Sequence, residues 1–331
     1  MSLNQPILLA LWASAAMTPL TVAAAPDTAP AEIARKADQS LLVDLSRAGD
    51  RLLAIGSRGH ILVSDDQAET WQQVAVPVNN LLTAAYFAGD QRGWVVGHDA
   101  TILATEDGGD TWVVRHFDAS MEPLLDITFF DDQRGLAIGA FGLAMATTDG
   151  GANWSMLESD LTAEGMHLNA MTRLNDGSYL VVGEVGLMAH STDQGQTWTM
   201  LDSPYESSLF SVAPMGDGGA IIGGLRGNAF AASDVAGGAW RELQTGTVQS
   251  VFGISDDGAG GFWMAGLNGS LLHADAELNI KPADTRAVNG LDDTLIATAI
   301  GGVAYADVLT LEGDLLVVVG DAGVRRMAFS R

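Results

Sequence analysis

Short apolar runs that end in glycine recur along the chain. They are Leu53-Ala54-Ile55-Gly56, Trp94-Val95-Val96-Gly97, Leu136-Ala137-Ile138-Gly139, Leu180-Val181-Val182-Gly183, Ile221-Ile222-Gly223-Gly224, Trp263-Met264-Ala265-Gly266 and Leu316-Val317-Val318-Val319-Gly320. A mixed run precedes each, as in 82–87 or 125–130, and a G-x-x-G hairpin followed by a further apolar run succeeds most of them. Runs this short, rich in Val, Ile, Leu and Thr and bounded by Gly, Asp and Asn, predict β-strands, four to a unit. Trp71, Trp112, Trp154, Trp198 and Trp240 follow one another at 41, 42, 44 and 42 residues, which sets the period, and the seven glycine-ended runs set the number of units. A four-stranded unit repeated every 40–45 residues is the signature of a β-propeller, in which each sheet is covered by its neighbours. The expected fold is therefore all-β: a single seven-bladed β-propeller of four-stranded antiparallel blades over 41–331.

The two ends carry separate expectations. Residues 1–24 read as a cleaved signal peptide, with an apolar stretch from Ile7 to Met17, no charged side chain and small residues up to Ala25. No later segment approaches the roughly 18 continuous apolar residues of a spanning helix. The mature protein is expected to be soluble, monomeric and exported to the periplasm or a lumen. The seventh unit runs out after three strands, so residues 25–40 are expected to supply the outer strand of the last blade. The long gap before that unit places an insertion near residues 280–300.

The third and fourth strands of a unit are joined by S/T-x-D-x-G-x-T-W or a close variant, seen at 105–112, 147–154 and 191–198 and, with Ala68 in place of Gly, at 64–71. This string resembles the Asp box of bacterial neuraminidase (BNR) repeats. Asp66, Asp107, Asp149 and Asp193 are read as structural acceptors for turn N–H groups, and Trp71, Trp112, Trp154 and Trp198 as blade packing. One carboxylate per blade cannot converge on a single ion, so the boxes are not read as a metal site.

Composition removes several functions. The 331 residues hold 41 Asp and Glu against 16 Lys and Arg, a formal charge of −25, which argues against nucleic acid. Without cysteine there is no disulfide, thiolate nucleophile or Cys-ligated metal. The six histidines show no ligand spacing, and G-x-x-G marks hairpins here instead of a phosphate loop, so no metal and no cofactor is expected. A sialidase would need an arginine triad and a Tyr/Glu pair, for which the four tyrosines and the scattered arginines offer no match. A glycosidase using two carboxylates remains open among so many acids.

The strings Asp90-Gln91-Arg92-Gly93-Trp94-Val95-Val96-Gly97 and 132–139, running into 101–112, together with Ser203-Pro204-Tyr205-Glu206-Ser207-Ser208-Leu209-Phe210, resemble the photosystem II stability/assembly factor family and its relatives in non-photosynthetic bacteria. The resemblance spans about residues 40–331. It implies an exported, non-enzymatic propeller that acts as an assembly scaffold for a membrane protein complex. The arginine cluster of the photosynthetic members is not matched here, so the expected client is a photosystem or, in better accord with this departure, another envelope complex such as a transporter. A glycan-acting or glycan-binding propeller is the alternative. The tips between second and third strands, rimmed by 116–123, 159–167 and 203–208, are the expected binding face, with Arg58, His98, Phe141, Tyr205 and Arg226 as candidate contacts.

Overall fold

A computed structural model describes residues 28–288 and 302–330. The strands assemble into seven antiparallel sheets of four strands each. In six blades the chain runs outward from an inner strand, as in Leu42–Ala48, Arg51–Gly56, Ile61–Ser64 and Gln72–Gln73 of blade one. Inner strands of consecutive blades pack on one another around the ring, the last (Tyr305–Thr310) on the first. The second strands are buried throughout, apart from the partly exposed first residue in blades one, two and seven, because neighbouring sheets cover both of their faces. That double burial explains why they read as unbroken apolar runs instead of alternating ones.

All seven inner strands carry a register shift at their second residue, from Leu42/Asp44 in blade one to Tyr305/Asp307 in blade seven. A bulge there turns the strand end and re-aims the next side chain. The glycine ending each second strand lies opposite. At Gly97 a Cβ would stand 2.3 Å from the Leu81 carbonyl oxygen, and at Gly139 2.2 Å from that of Pro123. The repeated glycine is thus required by backbone approach between strands.

Core packing runs between blades. Trp94 of blade two stacks on Phe129 of blade three with ring centroids 3.8 Å apart, and Phe129 meets Trp154 edge-on at 5.9 Å. Gly151 sits over the Trp94 indole, where a Cβ would approach Nε1 to 2.2 Å.

Closure departs from the expectation for residues 25–40. The outer strand of blade seven is Thr285–Ala287, paired with Phe329, Ala328 and Met327. The chain passes to it directly from Ile280–Pro282, the outer strand of blade six. Two or three backbone pairs suffice for an outer strand, so Thr285-Arg286-Ala287 needs no apolar pattern and reads as part of an insertion. The remainder of that insertion, 289–301, and the expected signal peptide, 1–24, lie outside the described residues.

Residues 28–40 strap the seam between first and last blades instead. Ala31 N–H bonds Val76 O at 2.9 Å, and the Gln73 side chain receives Ala34 N–H and donates to Glu32 O. Ala37, 3% exposed, enters a core shared by Leu42 and Leu52 of blade one and Val317 and Val319 of blade seven. Gly323 lies against this strap, where a Cβ would stand 1.9 Å from Asp38 O. Leu45 N–H to Asp307 Oδ2 (3.1 Å), Arg47 to Thr310 O and Arg326 to Glu69 (3.4 Å) complete the seam.

Candidate partner-binding face

The loops divide between two faces. Tips between second and third strands bond the inter-blade loops, as in Gly59 N–H to Asn80 O, Gly142 N–H to Met166 O and Glu184 N–H to His167 O. On the other face the turns between third and fourth strands bond those between first and second, as in Gly108 N–H to Gln91 O and Gly150 N–H to Gln133 O.

The second face is saturated with internal contacts. In blade two, Asp107 accepts Thr111 N–H (2.9 Å) and Thr111 Oγ1–H (2.6 Å), while Thr105 Oγ1 donates to Asp107 and accepts Gly109 N–H at 3.0 Å. Asp66, Asp149 and Asp193 repeat this clasp with Thr70, Asn153 and Thr197. The hydrogen bonds hold these carboxyls low, at about 2 for Asp66, Asp149 and Asp193. Asp275 of blade six makes the same four-residue clasp with Asn279 although its tryptophan is missing. Trp112 and Trp198 are buried and Trp71 and Trp154 partly so, and each carboxylate stays within its own turn. Among the described residues no group of three or more His, Cys, Asp or Glu is disposed to hold a metal.

Arginines lock this face from blade to blade. Arg51 reaches Asp110 (2.6 Å) and Gly108 O of blade two. Arg92 reaches Gly150 O of blade three at 3.3 Å and lies 5.2 Å from the Trp94 ring centre. Arg134 reaches Gln194 of blade four. The repeated arginine at the head of the second strand was visible in the sequence; its partner, one blade away, was not.

The tip face is built differently. Five tips share one three-residue turn whose middle residue is left-handed: Arg58, Phe141, Val185, Arg226 and Asn268, with φ between 52° and 59°. In blade two, Asp99 and Ala100 take that conformation and His98 precedes them, partly buried. Of the expected contacts, Arg58, Phe141 and Arg226 are exposed on this face. Tyr205 is also placed here, but its hydroxyl donates to Leu225 O (3.1 Å) and accepts from Asn228 Nδ2 (3.0 Å), and its ring lies on Phe230. Tyr205 therefore shapes the blade-five tip from beneath. Beside Arg226 a groove of about 500 Å³ runs along 242–248 to the exposed Val248.

Just below the tips lie three carboxylates that no local motif marks. Asp44, Asp126 and Asp307 follow the inner-strand bulges and bond the next blade, Asp44 to Ala85 N–H (2.9 Å), Asp126 to Met171 N–H (2.7 Å) and Asp307 to Leu45 N–H. They line the axis of the ring, where they keep partial access to water although protein surrounds them. Burial raises Asp126 and Asp307 to about 7, and burial together with the Asp307 charge carries Asp44 well above the ordinary carboxylate range.

These features define a seven-bladed β-propeller with a clasped face and a tip face. Two overlapping stretches, 63–123 and 116–206, match the family described as photosynthesis system II assembly factor YCF48. Over 61 residues the chain is 44% identical to photosystem II assembly protein Ycf48 of Synechococcus sp. (strain JA-3-3Ab), a stretch spanning 18% of each chain. The solved structure of YCF48 bound to D1 peptide superposes with a TM-score of 0.68 at 18% identity, covering 95% of this chain and all of that one. The resemblance to the photosystem II assembly factor family drawn from the repeat strings is borne out. The fold alone is shared more widely: a streptogramin B lyase gives a TM-score of 0.69 at 10% identity, covering 88% of this chain and 95% of that one.

Proposed function

We propose that this protein is an exported, non-enzymatic scaffold that holds a subunit of a membrane protein complex against its tip face during assembly. The observation that carries this reading is the contrast between the faces in a chain similar to YCF48. One face spends its polar groups on internal clasps, while the other exposes varied side chains on a rigid repeated turn. Arg58, His98, Phe141 and Arg226 are the proposed contacts, with Tyr205 in a supporting place. The similar YCF48 binds a D1 peptide, and a peptide of a membrane subunit is the kind of partner we infer here. An envelope complex other than a photosystem fits this chain better, because Arg51, Arg92 and Arg134 are engaged between blades and acidic residues dominate.

The test is crosslinking of the tagged mature protein in its own cells, followed by identification of captured membrane subunits. We expect one complex to be enriched, and enriched less by an Arg58→Glu/Arg226→Glu variant. Capture of no membrane complex, with glycan-array binding or glycan cleavage in its place, would overturn the reading.

A further inference from the structure

We propose that the tips of blades three and four form a docking strip for an extended polypeptide segment carrying an apolar side chain flanked by lysine or arginine. The proposal rests on the scaffold reading above and specifies where and what it binds.

The strip is continuous. The Phe141 ring meets His167 edge-on, with centroids 4.5 Å apart. His167 donates its backbone N–H to Glu184 Oε2 at 3.2 Å, and its Nε2 lies 3.9 Å from that oxygen. Val185 follows Glu184 at the summit of the next tip. The surface is thus apolar at each end and carboxylate in the middle.

Neither burial nor backbone preference accounts for the two apolar residues. Phe141 is 63% exposed and Val185 57%. Both occupy the left-handed position of the shared turn, at φ 52° and 54°. That conformation disfavours any side chain other than Gly, Asn or Asp, and a β-branched one most. The equivalent position in blade six is Asn268, a residue suited to it. A strained, exposed Phe and Val on a turn that folds with Asn signals a surface function.

The surrounding charge selects the partner. Between residues 135 and 225 the sequence holds one Lys or Arg, Arg173, at the end of an inner strand on the clasped face. The loops beside the strip expose Glu158, Asp160, Glu164, Asp202 and Glu206. A cationic segment would be steered to this sector, and its apolar side chain would cover Phe141 and Val185.

The test uses the full mature protein and two labelled 13-residue peptides. One carries a Leu-Phe pair flanked on each side by three lysines in a Gly/Ser background, and the other has glutamate at the lysine positions. Fluorescence anisotropy at low salt should show binding of the lysine peptide only. Phe141→Gly and Val185→Gly should each weaken it about tenfold, while the thermal midpoint stays level or rises. Glu184→Gln should reduce the salt dependence of binding. Equal binding of both peptides, no binding of the lysine peptide, or glycine variants that bind like the parent would overturn the proposal. Crosslinking separates it from the scaffold reading. If the parent and the double glycine variant capture the same membrane complex equally, the strip fails and the scaffold stands. If the parent captures none, the scaffold reading fails.

Discussion

The two faces of the propeller use the same residue types to opposite ends. On the clasped face, Asp66, Asp149 and Asp193 sit at the surface, receive turn N–H and side-chain donors, and are held at about 2. Toward the tip face, Asp126 and Asp307 have few donors, lie deep among the inner strands and rise to about 7. Left-handed residues occur on both faces but differ in what they display. Clasp turns place Gly108, Gly109, Gly150 and Gly151 at positive φ together with Gln67, Ala68 and Gln194, whereas the tips also place the exposed Phe141 and the β-branched Val185 there. The clasped face turns its carboxylates inward on its own loops, and the tip face displays an apolar ring and a β-branched side chain on left-handed backbone.

The largest test of this contrast is Trp94→Ala. The indole is 1% exposed and stacked across the blade-two/blade-three interface beneath Gly151. We expect a loss of about 3–5 kcal/mol in urea unfolding. Next is Thr105→Val, which leaves buried Gly109 N–H without its acceptor and should cost about 2 kcal/mol on the same assay.

The third test is pH. Asp126 and Asp307 are raised above their unfolded value near 4, so the folded state binds more protons across pH 4–7. Their stabilisation is fully present below the unfolded pKa and lost as pH rises through about 7. The clasp carboxylates act in reverse, contributing above the unfolded pKa and losing that contribution as pH falls toward about 2. Thermal stability should therefore peak near pH 4, where the clasps are charged and the axial carboxylates are still protonated, and decline as pH rises toward 7. Asp126→Asn should remove part of the decline toward pH 8, on the order of 1–2 kcal/mol after allowing for access to water along the axis. A decline of equal size in the variant would show that the axial carboxylates do not titrate as described.

The smallest effect has the opposite sign. Val185→Gly should stabilise by about 1 kcal/mol through relief of the left-handed strain. A loss of stability would mean that Val185 serves the fold, and the contrast between the faces would blur.

Much of this architecture is legible in the chain. Glycine-ended apolar runs and the tryptophan period specify blade number and strand order, because each blade must bury the same faces with the same local geometry. The clasp turns are equally local: Asp and its donor partner lie four residues apart, so short-range sequence determines them. The tip residues could be listed from the repeat, but Tyr205 and Phe141 could not be told apart there. Only the packing shows that Tyr205 is committed to Leu225 and Asn228 while Phe141 stands exposed.

Tertiary structure decided whatever depends on a neighbour one blade away. The partners of Arg51, Arg92 and Arg134 lie about 60 residues along the chain, and the Asp307–Leu45 bond that closes the ring spans 262 residues. No local pattern encodes such distances. The outer strand of blade seven has the same cause: Thr285–Ala287 is a strand because Met327–Phe329 offers it a free edge, not because three polar and small residues prefer extension. The left-handed tips complete the division. The sequence supplies Phe and Val at those positions, and the close approach of strands beneath them imposes the backbone on which they are displayed.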